Sequence, residues 1–228
     1  MLHIDILTIF PEMFEGPFQN SIIKRAQEKK HVKITLHNIR DYAVDKHKRV
    51  DDYPYGGGSG MVMMIEPIAR CIDSLKEKTQ YNEIIYMSPD GELFDQQMAN
   101  HLSTMHHLLI LCGHYKGIDE RIRHFYITRE ISIGNFVLSG GELGAAIITD
   151  AITRLVPGVL NDETSALSDS FQDGLISPPV YTRPANFKGM EVPGILLSGN
   201  DKAIDNWRFE QSLARTRSRR PEMLNDQE

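Results

Sequence analysis

HLLILCG, residues 107–113, is the stretch on which the fold turns. It runs apolar from Leu108 to Cys112 without alternation and stops at a glycine. A continuous run that short reads as a strand buried on both faces, as in a parallel sheet. Its neighbours fit this reading. HIDILTIF (3–10), VKITLHNI (32–39), EIIYMSP (83–89, ending at Pro89) and FYITREISIG (125–134) read as further strands. Helices are predicted over 13–29, 66–78, 95–105, 117–123 and 142–155, the third capped by Asp95 and the last ended by Pro157 and Gly158. Strands alternating with helices predict an α/β fold with a mainly parallel sheet. Residues 40–63 read as a long polar loop, with GGGSG (56–60) as a flexible lid.

After Pro157 the composition changes to Ser, Asp, Pro and Gly, and a helix follows over 200–219, ending at Pro221. The expected organisation is an α/β domain over 1–160, a flexible linker over 161–174 and a small helical domain over 175–228.

The chain has 228 residues, 41% of them hydrophobic and 25% charged, enough for one sizeable core. No run of about eighteen apolar residues occurs, so no membrane partner is expected. The two cysteines, Cys71 and Cys112, lie in apolar contexts and read as buried thiols, which fits a reducing cytoplasm. The net charge of −6 argues against a uniform nucleic-acid surface. A local basic cluster stands out, formed by Arg208, Arg215, Arg217, Arg219 and Arg220. It reads either as a solvated helix face or as a phosphate grip.

Three strand ends carry unusual turns: YMSPDG (86–91), CGHYKGIDER (112–121) and SIGNFVLSGGELGAA (132–146). Ligands of open α/β sheets sit beyond the carboxyl ends of strands. Each glycine alone reads as a tight turn, but three such turns together could wall a pocket, with backbone groups approaching a ligand closely. There is no GxxxxGK[ST] and no GxGxxG after the first strand, so neither a P-loop nor a dinucleotide-binding turn is supported.

With these motifs on the page the chain resembles the bacterial tRNA (guanine-N1)-methyltransferases of the SPOUT superfamily over essentially its whole length. TIFPEMF, VDDYPYGGGSGMVM, YMSP, CGHYKGIDER, SIGNFVLSGGE, ITRLVPGVL, DSFQDGLISPPVYTRP, MEVPGILLSGN and WRFEQSLARTRSRRPE carry the likeness, in that order. The resemblance implies a parallel sheet with a deep trefoil knot, a small helical C-terminal domain, and S-adenosylmethionine bound bent in the knot. The cofactor-binding positions carried over are Tyr86, Met87, Ser88, Pro89, Gly113, Tyr115, Gly117, Ile133, Gly134, Asn135, Phe136, Val137, Leu138, Gly140 and Gly141.

The resemblance also implies a catalytic pair, Asp169 as general base at guanine N1 and Arg154 stabilising charge on O6. Read alone, the first is a turn-capping aspartate and the second a helix-end arginine. The implied reaction methylates the guanosine 3′ of the anticodon, guanosine-37. The implied partners are tRNA, gripped by the arginine cluster, and a second subunit that completes the site of a homodimer. Family members also use Mg²⁺, for which the sequence offers no clear ligand set. The other readings are ribose 2′-O-methylation and a non-catalytic RNA-binding module. Two departures from the family stand out. Lys116 replaces a common Glu, and Gly144 a common Pro at an expected helix start.

Overall fold

The computed structural model describes residues 1–160 and 169–225. The chain divides into two compact units, Met1–Asn161 and Asp162–Glu228. The strands of the first are β1 (Leu2–Thr8), β2 (Val32–Asn38), the two-residue β3 (Asp51–Asp52) and β4 (Val62–Met63), β5 (Glu83–Leu93), β6 (His107–Cys112) and β7 (Arg129–Ser132). Five of them form a wholly parallel sheet in the order β2-β1-β6-β5-β7. The helices are α1 (Glu15–Phe18), α2 (Ser21–Glu28), α3 (Ile65–Lys76), α4 (Gln96–Ser103), α5 (Glu120–Phe125) and α6 (Glu142–Thr153).

Helices cover both sheet faces, and the strand period of two divides the core accordingly. Leu108, Ile110 and Cys112 of β6 join Ile4, Ile6, Ile85 and Met87 in one layer, against Ile23 of α2, Leu102 of α4 and Ile148 of α6. Leu109 and Leu111 join Leu7, Ile84 and Tyr86 in the other, against Ile68 and Ile72 of α3 and Ile122 of α5. β6 is therefore apolar throughout because both of its sides are core. Burying each such Leu or Ile stabilises the fold by about 1.5–3 kcal/mol. Cys71 and Cys112 are buried free thiols, in line with their apolar surroundings.

Several boundaries differ from the sequence reading. The helix expected over 13–29 is broken. Pro11–Phe14 forms a 3-10 turn and α1 a single turn, closed where the Asn20 side chain donates to the Gly16 carbonyl. Ser21, the first residue of α2, then takes φ of 53°, outside the helical region. β5 does not end at Pro89. Its ladder with β7 shifts register between Met87 and Glu92, so residues 88–91 leave the ladder and the strand rejoins at Glu92–Leu93. The strand expected over 125–134 is confined to β7, because α5, capped by Asp119, continues through Phe125.

The loop over 40–63 is also more ordered than expected. It contains the β3–β4 pair, and Lys116 N and Asp119 N donate to Met61 O and Met63 O at 3.0 and 3.1 Å, while Met63 N donates to Gly117 O at 2.9 Å. These bonds fasten the carboxyl end of the glycine-rich segment to the loop after β6.

In the second unit a hairpin, β8 (Asn186–Phe187) with β9 (Met190–Glu191), precedes α7 (Asp201–Arg219), which Asn200 caps. Of the expected linker, 161–168 lies outside the described residues. Residues 169–177 form a turn in which Phe171 N donates to Leu175 O at 2.8 Å and Ser177 N to Ser170 Oγ at 2.9 Å. Ile176 N donates to the buried Thr216 Oγ1 at 2.9 Å, tying this turn to α7. No helix among the described residues is long and apolar enough to cross a membrane.

Candidate active site

β6, β5 and β7 are adjacent in the sheet, so their carboxyl ends deliver three loops to one place. Between those loops lies a cavity of about 490 Å³, within the ordinary range for a small-molecule site. Of the predicted cofactor positions, Tyr86, Met87, Ser88, Pro89, Gly113, Tyr115, Gly117, Ile133, Gly134, Phe136, Val137, Leu138, Gly140 and Gly141 line it. Asn135 does not.

The loops are locked by backbone contact. Gly141 N donates to Gly113 O at 2.9 Å, and His114 and Gly140 form an isolated antiparallel bridge. A Cβ on Gly141 would stand 2.9 Å from both Cys112 Cα and Met87 Cβ, so only glycine permits this approach. Behind the turn, Glu142 opens α6 with its carboxylate buried, and Thr8 Oγ1 donates to it at 2.8 Å. A carboxylate at a helix N-terminus is also favoured by the macrodipole.

Several wall residues were not among the predicted set: Asp90, His114, Glu120, Arg123 and Ser132. Arg123 is the hub of the polar side. It makes a bidentate pair with Glu130 at 2.8 and 2.6 Å, reaches Asp90 at 3.1 Å and Glu120 at 3.5 Å, and lies over the Tyr86 ring. In sequence, Glu120 and Arg123 are an i,i+3 pair, the ordinary mark of a solvated helix face. Burial pushes the Tyr86 phenol up to about 12, against the opposing pull of Arg123, so it stays neutral at physiological pH. Gly144 was expected to matter only at a helix start, yet it is buried on the cavity wall, where an added Cβ would meet Met87 Cε at 2.9 Å. Lys116 also lines the cavity.

The two predicted catalytic residues are placed differently. Arg154 caps the C-terminal end of α6, whose N-terminal end at Gly141 forms the cavity wall. Ten residues at 1.5 Å rise separate Arg154 from Gly144, the α6 residue on the wall nearest to it, which puts it about 15 Å along the helix from the cavity of its own chain. Asp169 belongs to the second unit, at the start of the turn described above, and is half-buried. The arginine cluster does not share one face. Arg208, Arg215 and Arg219 fall in one stripe of α7 and Arg217 opposite. Arg220 is held by Glu222 and lies over the Phe171 ring. Among the described residues no group of three or more His, Cys, Asp or Glu side chains is arranged to hold a metal.

Residues 2–226 match the family described as tRNA (Guanine-1)-methyltransferase TrmD. The chain belongs to that family. A tRNA (guanine-N(1)-)-methyltransferase of Azobacteroides pseudotrichonymphae is 60% identical over 222 residues, 97% of this chain and 100% of the relative. Relatives of the same name from Cytophaga hutchinsonii (59%, covering 97% and 94%) and Bacteroides fragilis (60%, covering 99% and 100%) agree. Family membership makes the chain a methyltransferase, and it implies S-adenosylmethionine as the methyl donor.

Proposed function

We propose that this protein transfers the methyl group of S-adenosylmethionine to N1 of guanosine-37 in tRNA, giving 1-methylguanosine. The observation that carries the reading is the convergence of three glycine-bearing loops on one ligand-sized cavity, in a chain about 60% identical to tRNA (guanine-N(1)-)-methyltransferases end to end. The cavity suits the cofactor: apolar Ile133, Val137 and Leu138 offer faces for a purine, and the turns at Gly113 and Gly140–Gly141 offer main-chain groups to its edge. When bound there, the cofactor supplies an electrophilic methyl carbon. The trefoil knot, formed by the segments after β5, β6 and β7, belongs to this reading, as does a helical C-terminal domain over 175–228.

Guanine N1 carries a proton and is a poor nucleophile until the proton leaves. The Asp169 carboxylate accepts it, and the Arg154 guanidinium offsets the charge that then builds on O6. The arginines of α7 hold tRNA phosphates. Because Arg154 stands about 15 Å along α6 from the wall of its own chain's cavity, a second copy is assigned the task of bringing it there. Half-exposed Leu143 and Ile147, four residues apart on one face of α6, give that copy an apolar surface to cover. Magnesium has no ligand set among the described residues, and no step uses it. The protein is assigned to the cytoplasm, where its thiols stay reduced.

The test is methylation of a guanosine-37 transcript followed by digestion to nucleosides. 1-Methylguanosine, lost when position 37 is adenosine, supports the proposal, and 2′-O-methylguanosine overturns it.

A further inference from the structure

The cavity wall carries two permanent cations, Lys116 and Arg123. Arg123 is already engaged by three carboxylates, those of Glu130, Asp90 and Glu120. Lys116 makes no ion pair among the described residues, and its side chain is exposed. Its stem is nonetheless packed rather than loose. Its amide donates to Met61 O at 3.0 Å, and its aliphatic stem crosses Gly60, where an added Cβ would stand 2.9 Å from Lys116 Cγ and 3.1 Å from Cε. Gly60 has φ of 93°, so the segment passes under the lysine in a conformation suited to glycine. A long cation commonly lays its stem along the protein and keeps its ammonium in water, which leaves the head group open to an anion.

A ligand built from an adenosyl group and an amino acid brings one anion into such a cavity, its α-carboxylate. We propose that Lys116 binds the α-carboxylate of the methionine portion of the cofactor, as an ammonium donating charge-assisted hydrogen bonds. This rests on the reading of the cavity as the S-adenosylmethionine site. It makes the wall after β6 a recognition element for the amino-acid end, with Arg123 kept out of that role by its three acids. The charge reversal at this position relative to the common family residue thereby acquires a purpose: the chain reads the carboxylate end of its cofactor.

The test uses two ligands that differ only at that end, S-adenosylhomocysteine and 5′-methylthioadenosine, which lacks the amino-acid head group. Affinities are measured by calorimetry on the full chain and on Lys116→Met, Lys116→Glu and Lys116→Arg. The expected result is S-adenosylhomocysteine binding weakened about tenfold in Lys116→Met, further in Lys116→Glu, and largely restored in Lys116→Arg. 5′-Methylthioadenosine binding should stay within about twofold of wild type, which also reports that the cavity is intact. Equal weakening of both ligands would mean that the lysine stem only packs on Gly60, and overturns the proposal. So does unchanged binding of both. If the wild-type chain binds neither, the reading of the cavity itself fails, and that outcome is distinct from the others.

Discussion

Thr8, at the end of the first strand, donates its hydroxyl to Glu142, at the start of α6, across 2.8 Å and 134 positions of sequence. Both residues are buried, and Thr8 Oγ1 also accepts from Phe10 N at 2.9 Å. The end of β1 is thereby tied to the turn that carries Gly140 and Gly141. Thr8→Val leaves a buried carboxylate short of a donor and should cost about 1–3 kcal/mol of stability. Glu142→Gln should cost less, because the amide still accepts. The Thr8→Val/Glu142→Gln double variant should lose less than the sum of the two, which a denaturation cycle measures directly.

Asp169 is the assigned base. Asp169→Ala should lower single-turnover methyl transfer by about 10²–10⁴-fold while calorimetry shows cofactor affinity unchanged. A variant that transfers methyl at the wild-type rate removes Asp169 from the mechanism.

The placement of Arg154 far from its own cavity predicts complementation between subunits. Leu138→Trp fills the cavity, and Arg154→Ala removes the guanidinium. If Arg154 serves a neighbour's cavity, each inactive variant alone should stay inactive, while mixed dimers regain one working site. Activity assayed after verified subunit exchange decides the matter, and no recovery means that each chain uses its own Arg154.

Asp5 predicts a pH response. Burial opposes its ionisation, but hydrogen bonds from His37 at 2.7 Å and Tyr81 at 2.8 Å outweigh burial and hold the carboxyl below its ordinary value of 3.8. A depressed folded value stabilises the protein above the unfolded value, and that contribution is lost as pH falls through the folded one. Melting temperature should therefore drop more steeply below pH 3.8 in wild type than in Asp5→Asn.

Much of this was legible in the chain. β6 could be placed because five consecutive apolar residues need core on both sides, and Asp95 and Asn200 mark helix starts through local chemistry. The convergence of three loops was legible as strand ends bearing glycines. What escaped depends on distant partners. Pro89 is a local stop signal, and only the pairing of Glu92 with Ile131 lets β5 resume beyond it. Arg123 looks like half of a surface pair until Asp90, Glu130 and Tyr86 gather round it. The distance of Arg154 from the cavity follows from a helix length that the sequence supplied, but its meaning needs to know which end of α6 faces the cavity.

Six of the residues around the cavity, Gly113, Gly117, Gly134, Gly140, Gly141 and Gly144, have no side chain to vary. An inhibitor that pairs with their peptide groups would meet contacts that do not depend on any side chain at these positions. A resistant variant would have to reshape the turns themselves, and the crowding around Gly141 leaves little latitude for that.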